Sequence, residues 1–247
     1  MTTEGSSSLS GAFLGQSGIK VSNLCLGTLT FGESQSGRPG QCGEDLSHQI
    51  IKRFVECGGN FFDTADVYGL GAAENIVGKW LERQSREKFI IATKVRFNMG
   101  DNVANNVGLS RKHITSSVVQ QYSLLHRESE FEPFQTSGLG VLPWSPLNDG
   151  LLTGKVKRGQ IPTEGRLGWS VAITKAKAKS YLNDRTFDII ETAEVIGHKY
   201  GRSVAQVALR WLLQKEVVSS VIIGARTLEQ LEDNLGAGSG WTLSQEE

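Results

Sequence analysis

The chain has 247 residues, 38% of them apolar and 21% charged, which suits one sizeable core and excludes both wholesale disorder and a fibrous architecture. Lysine plus arginine (26) balance aspartate plus glutamate (26), so the basic footprint of a dedicated nucleic-acid binder is absent and small molecules or other proteins are the expected partners. No run of about 18 apolar residues occurs, so no membrane insertion is expected. The three cysteines, Cys25, Cys42 and Cys57, show neither metal-ligand spacing nor a disulfide framework, which predicts no metal site and a reducing, cytoplasmic setting.

Residues 1–10 are polar and rich in Ser and Thr, lack the regions of a signal peptide, and are expected to form a disordered tail ahead of a single domain over 11–247. Residues 23–31 (NLCLGTLTF) read as a short apolar strand running into a Gly- and Ser-rich loop over 32–43. Leu46, Ile50, Ile51, Phe54 and Val55 then recur at helix spacing, with acidic residues in the first turn and Gly58-Gly59 as the stop. A second strand, NFFDTA at 60–65, leads through a glycine-containing loop to a helix whose apolar face is Ile76, Val77, Trp80 and Leu81. KFIIATKV at 88–95 reads as a near-continuous apolar strand, of the kind buried on both faces of a parallel sheet, with Lys94 at its C-terminal end.

The pattern then predicts the start of a helix over 110–118, which passes directly into VQQYSLLHRESEFEPF without an intervening strand. From Gly138 the alternation resumes: GLGVLPW as a strand, SVAQVALRWLLQ as a helix with a Ser203/Gln206 capping box, VVSSVIIG as a strand, and a last helix opened by Thr227 and Gln230 in the same pattern. Alternating strands and helices imply an α/β fold built on a parallel sheet. Five strands stand out, whereas a closed (β/α)₈ barrel needs eight.

In parallel α/β folds, reactive groups gather at the C-terminal strand ends. Asp63 and Tyr68 follow the second strand and Lys94 ends the third. A lysine beside a tyrosine stabilises the phenolate and draws the hydroxyl from about 10 toward working pH, which makes it a usable general acid, and a carboxylate can fix the lysine. Singly, an Asp after a strand is often a turn residue and a loop Tyr is often amphipathic surface. A lysine within FIIATKV is harder to dismiss, because a buried charge requires a partner.

NFFDTADVYGLGAAENIVGKWL followed by KFIIATKV resembles the aldo-keto reductase superfamily, and more narrowly the branch that includes the potassium-channel β subunits; the likeness extends over about 11–117 and about 119–241. The resemblance implies a (β/α)₈ TIM barrel that reduces aldehydes and ketones with NADPH through an Asp, Tyr, Lys and His tetrad. Tyr68 would be the proton donor, Lys94 its partner and Asp63 the anchor of that lysine. The histidine ends the family's fourth strand, and this sequence jumps from the third βα unit to the tail of the sixth strand. Barrel strands 4, 5 and most of 6 are therefore expected to be missing, with the internal deletion near 118–119. His48 and His198 lie on predicted helices, and neither His113 nor His126 occupies a strand end.

The resemblance also supplies a cofactor half. Trp144, Ser145, Pro146 and Leu147 would embrace the dinucleotide, and Lys155 and Arg166 fall where basic residues approach its phosphates. Charge alone leaves open whether the Lys-rich stretch 155–179 is a basic lid or a solvated linker. In GARTLEQLEDN a strand ends at a small-residue turn and a capped helix begins, which offers backbone N–H groups and the Arg226 fork to a phosphate. By resemblance, Gly224, Arg226, Gln230 and Asn234 contact the adenosine-phosphate end and favour NADPH over NADH. The turn Gly69-Leu70-Gly71 is not a Rossmann fingerprint, because Glu74 stands where the third glycine belongs. The Gln expected three residues before the Tyr of YSLL is Val119, with Gln120 and Gln121 as substitutes, and the family's Ser-Asn pair is absent. The leading reading is a shortened carbonyl reductase impaired by loss of the histidine. The alternative is a non-catalytic, NADPH-binding regulatory protein that acts on a membrane-channel partner.

Overall fold

A computed structural model describes residues 8–33, 41–94, 118–121, 138–160 and 181–247. Strands β1 (Gly11–Phe13) and β2 (Lys20–Ser22) form an antiparallel hairpin. The remaining strands pair in parallel: β3 (Leu24–Gly27), β4 (Phe61–Asp63), β5 (Ile90–Ala92), β6 (Val118–Gln121), β7 (Val141–Trp144) and β8 (Val221–Ile223). One sheet has the order β5-β4-β3-β8 and a second pairs β6 with β7. A bridge between Val141 and Val218 joins the two, so the strands run β5-β4-β3-β8-β7-β6 as one succession. Among the described residues this succession does not close, and its interval falls between β5 and β6, where the sequence breaks its alternation.

The helices are α1 (Glu44–Glu56), α2 (Ala72–Leu81), α3 (Asp184–Tyr200), α4 (Val204–Leu213) and α5 (Leu228–Leu235). The Ser203/Gln206 capping box is formed from both sides. At α5 the Thr227 hydroxyl caps the Gln230 N–H, but the Gln230 side chain accepts from the Arg226 N–H rather than from Thr227, so the box expected there is displaced by one residue.

Alternation divides the strands between two cores. Leu24, Leu26, Phe62, Val221 and Ile223 face α1, α2, α4 and α5, where Phe54 stacks edge-on against Phe62 at 5.7 Å. Cys25, Phe61, Leu142 and Ile222 face the opposite side and pack on Val21 of the hairpin. A third cluster joins the turn at 148–153 to α3 and α4 through Leu151, Leu152, Phe187 and Ile190. Gly27 permits the close approach of β3 and β8, because a Cβ there would stand 2.9 Å from Ile222 Cγ2.

Four sequence expectations change. Residues 88–95 do not form a strand buried on both faces: β5 is three residues long and half-buried throughout, because it borders the interval. Val118, expected at the end of a helix, instead opens a four-residue strand, β6, where the resemblance places the tail of the sixth barrel strand. The β1–β2 hairpin was not anticipated. The loose tail ends before Leu9, which is buried and donates its N–H to the Cys57 carbonyl at 2.8 Å.

Phe54 is fully buried. Phe54→Ala should therefore lower the unfolding free energy by about 3–5 kcal/mol, measured by urea denaturation, against about 1 kcal/mol for Ser203→Ala at the capping box.

Candidate active site

The ends of β4 and β5 carry the central cluster. Their register pairs Asp63 with Ala92, and two further ladder bonds, Thr64 N–H to Ala92 O (2.8 Å) and Asp66 N–H to Lys94 O (3.2 Å), carry the alignment past the last strand residue. Lys94 is thereby fixed beside the end of β4. Its Nζ donates to Asp63 Oδ2 at 2.6 Å, to the Thr64 carbonyl at 2.9 Å and to the Tyr68 hydroxyl at 3.3 Å. Three acceptors thus receive the ammonium. The residues brought together are the three picked out in the sequence, plus the Thr64 carbonyl, a backbone group that no side-chain pattern could reveal.

Asp63 is 3% exposed, and burial raises its carboxyl above the ordinary aspartate value while the Lys94 charge pulls it back. For Lys94, burial acts to lower the ammonium, but the Asp63 charge and hydrogen bond, reinforced by Tyr68, outweigh it and hold the group above 10.5. Directly behind the pair, Cys25 is fully buried and its thiol is pushed well up by burial and then by the Asp63 charge, so it is inert. Tyr68 opens a tight 3₁₀ turn over Tyr68–Gly71 in which Gly69, Leu70 and Gly71 all have positive φ, which confirms a turn and helix start rather than a dinucleotide fingerprint.

The predicted cofactor residues lie at the same end of the strands. Trp144 ends β7, is 41% exposed, and shares the face of Leu142. Ser145, Asn148 and Asp149 have φ of 54°, 45° and 57°, a concentration of left-handed backbone that Asn and Asp accommodate more readily than Ser145 does. Asn148 is 2% exposed and its Nδ2 has no partner among the described residues. Leu147 packs against two of the cores, while Lys155 is exposed and without an ion pair among the described residues. Arg166 lies outside the described residues.

At the end of β8, Gly224 and Arg226 are exposed. Gln230 and Asn234 instead hold the loop: Gln230 Oε1 accepts from Arg226 N–H (3.0 Å) and Asn234 Nδ2 donates to the Gly224 carbonyl (3.2 Å). Thr30 Oγ1 donates to the Ala225 carbonyl at 2.8 Å, and Cys42 Sγ lies 3.4 Å from the Arg226 carbonyl, so the loop after β3 clasps this turn from the other side. The Arg226 guanidinium carries no ion pair among the described residues. Two unpaired cations and a helix N-terminus are a donor set that fits dinucleotide phosphates.

The sequence profile of the Aldo/keto reductase family matches residues 23–129 and 115–247, which together cover most of the chain. The chain belongs to the aldo/keto reductase family. Similar relatives include a putative voltage-gated potassium channel subunit beta of Schizosaccharomyces pombe, 27% identical over 91% of this chain and 87% of the relative. An uncharacterized oxidoreductase, YrpG, of Bacillus subtilis is 28% identical over 91% and 90%, and a probable voltage-gated potassium channel subunit beta of Oryza sativa subsp. japonica is 27% identical over 91% and 89%. With 91% of 247 residues spread over 307 aligned positions, roughly 80 positions of the yeast protein stand opposite no residue of this aldo/keto reductase.

Of the four histidines, His48 lies on α1, with its Nε2 2.9 Å from the Ile76 carbonyl, and His198 lies in the last turn of α3; neither ends a strand. His113 and His126, like Ser110–Ser117, lie outside the described residues. No group of three or more His, Cys, Asp or Glu side chains that could hold a metal occurs among the described residues, and no helix there is long and apolar enough to cross a membrane.

Because Lys94 is held above 10.5 in the folded state, its contribution to stability is complete below that pH and is lost as the pH rises through the folded value. Unfolding free energies should decline above about pH 10.5, and Lys94→Met should remove that part of the decline. Asp63→Asn removes the charge that offsets burial, so the Lys94 titration, followed by the ¹³Cε chemical shift, should move to below 10.5.

Proposed function

We propose that this aldo/keto reductase reduces aldehydes and ketones to alcohols with NADPH, at a rate weakened by the loss of the catalytic histidine and of the strands between β5 and β6. The observation that carries the reading is the convergence of Asp63, Thr64 O and Tyr68 on Lys94 Nζ. Tyr68 donates its proton to the carbonyl oxygen, and the Lys94 ammonium stabilises the phenolate left behind. Asp63 holds Lys94 charged and in place. When bound, NADPH supplies the hydride that forms the new C–H bond at the carbonyl carbon. Arg226 and Lys155 would hold its phosphates, and Trp144 to Leu147 its nicotinamide side. The three cysteines are free and buried, which suits a cytoplasmic setting.

A lost general acid–base group commonly removes about 10²–10⁴-fold in rate. Steady-state NADPH oxidation with 4-nitrobenzaldehyde or methylglyoxal should therefore run at least about 100-fold below that of a full-length relative, and Tyr68→Phe should abolish what remains. Turnover matching the relative's, or persisting in Tyr68→Phe, contradicts the assignment. Arg226→Ala should weaken NADPH binding by about 10-fold and NADH binding by less, measured by fluorescence titration.

A second reading is favoured by the names of the yeast and rice relatives: an NADPH-sensing partner of a membrane channel in which catalysis is vestigial. Tight NADPH binding without turnover would select it.

A further inference from the structure

The turn that presents Tyr68 contains an unexplained residue. Leu70 has φ 53° and ψ 47°, the left-handed region that L-residues other than Gly, Asn and Asp rarely enter. Both neighbours are glycines with positive φ. Gly69 is packed close, since a Cβ there would meet Ala72 Cβ at 3.1 Å, whereas nothing crowds a Cβ at Gly71. A third glycine or an asparagine at position 70 would relieve the strain. Instead the turn carries a leucine that is 53% exposed and packs against none of the three cores. Neither folding nor core packing accounts for it.

Position supplies the missing reason. Other exposed apolar side chains lie on the hairpin (Phe13, Ile19), on helices (Val195, Leu228) or ahead of β7 (Leu139), while Leu70 and Trp144 stand at C-terminal strand ends, in the turn after β4 and as the last residue of β7. A carbonyl oxygen within hydrogen-bond reach of the Tyr68 hydroxyl places the rest of its molecule against the turn that carries Tyr68. We propose that Leu70 is a specificity-determining residue that grips the apolar body of the substrate, so that the site selects aromatic or extended alkyl carbonyls over small polar ones. The strain at Leu70 is retained because the side chain is needed outside the fold rather than within it. This inference rests on the reading of Tyr68 as the group that meets the carbonyl.

Leu70→Asn keeps a Cβ, tolerates the left-handed conformation and removes the apolar contact. KM for 4-nitrobenzaldehyde should rise about 10-fold more than KM for methylglyoxal, while the thermal midpoint stays level or rises. An unchanged KM ratio overturns the proposal, and so does a midpoint lowered by several degrees with the ratio unchanged, which would make Leu70 a structural strut. Binding of 4-nitrobenzaldehyde to the NADP⁺-saturated chain, followed by saturation-transfer NMR, separates this inference from the reduction reading. Weaker binding in Leu70→Asn than in the parent supports the role of Leu70 even where no turnover is seen; equal binding, or none in either, overturns it.

Discussion

A buried carboxylate and a half-buried ammonium meet at 2.6 Å where two parallel strands end, and the rest of the site is arranged around that contact. Neither charge is tolerable alone in this position, because removing one partner of a buried pair leaves the other uncompensated. The β4–β5 register, the ladder bonds that extend it to Lys94, and the apolar residues behind Asp63 all serve to bring the two groups together. The tyrosine hydroxyl completes the arrangement, accepting from the ammonium at 3.3 Å. The same contact that satisfies the fold also sets the surroundings of the tyrosine hydroxyl.

Strain is gathered at the same end of the molecule. Leu70, Ser145, Asn148 and Asp149 are the non-glycine residues with positive φ among the described residues, and all four follow β4 or β7 at its C-terminal end. Regular elements hold Asp63 and Lys94, and irregular loops held by bonds such as Thr30 to Ala225 and Asn234 to Gly224 lie at the same end of the strands. This division lets the loops differ in substrate and cofactor contacts while the triangle is preserved. Among the described residues the succession of strands is interrupted between β5 and β6, on the side of the triangle next to β5.

Much of this was legible in the sequence, and the failures have definite causes. Helices with a wide apolar face announced themselves through the 3.6-residue period, as α1, α2 and α4 did, and at α4 the Ser203/Gln206 cap reports on the same local structure. Lys94 was legible because a charge within an apolar run demands a partner, and Asp63 was the nearest candidate after a strand. The apolar run at 88–95 misled because composition records what a strand can bury and not how deeply it is covered: Ile90–Ala92 are half-buried. The hairpin was missed, and Val118 read as helix, because strands of three or four residues hold too few side chains to show a period. Gln230 and Asn234, which the family resemblance implies as ligand contacts, also hold the loop on which Gly224 and Arg226 stand, a structural role that the sequence pattern does not reveal.

The central claim is that the Asp63–Lys94–Tyr68 triangle still supports hydride transfer to a carbonyl, and isotope transfer tests it without dependence on a fast rate. NADPH carrying deuterium at the nicotinamide C4 would be incubated with 4-nitrobenzaldehyde and the chain, and the alcohol product analysed by mass spectrometry. The account predicts slow accumulation of singly deuterated 4-nitrobenzyl alcohol with the parent chain and none above background with Lys94→Met. Equal deuterium transfer by the two, or none by a parent chain shown to bind NADPH, would contradict it.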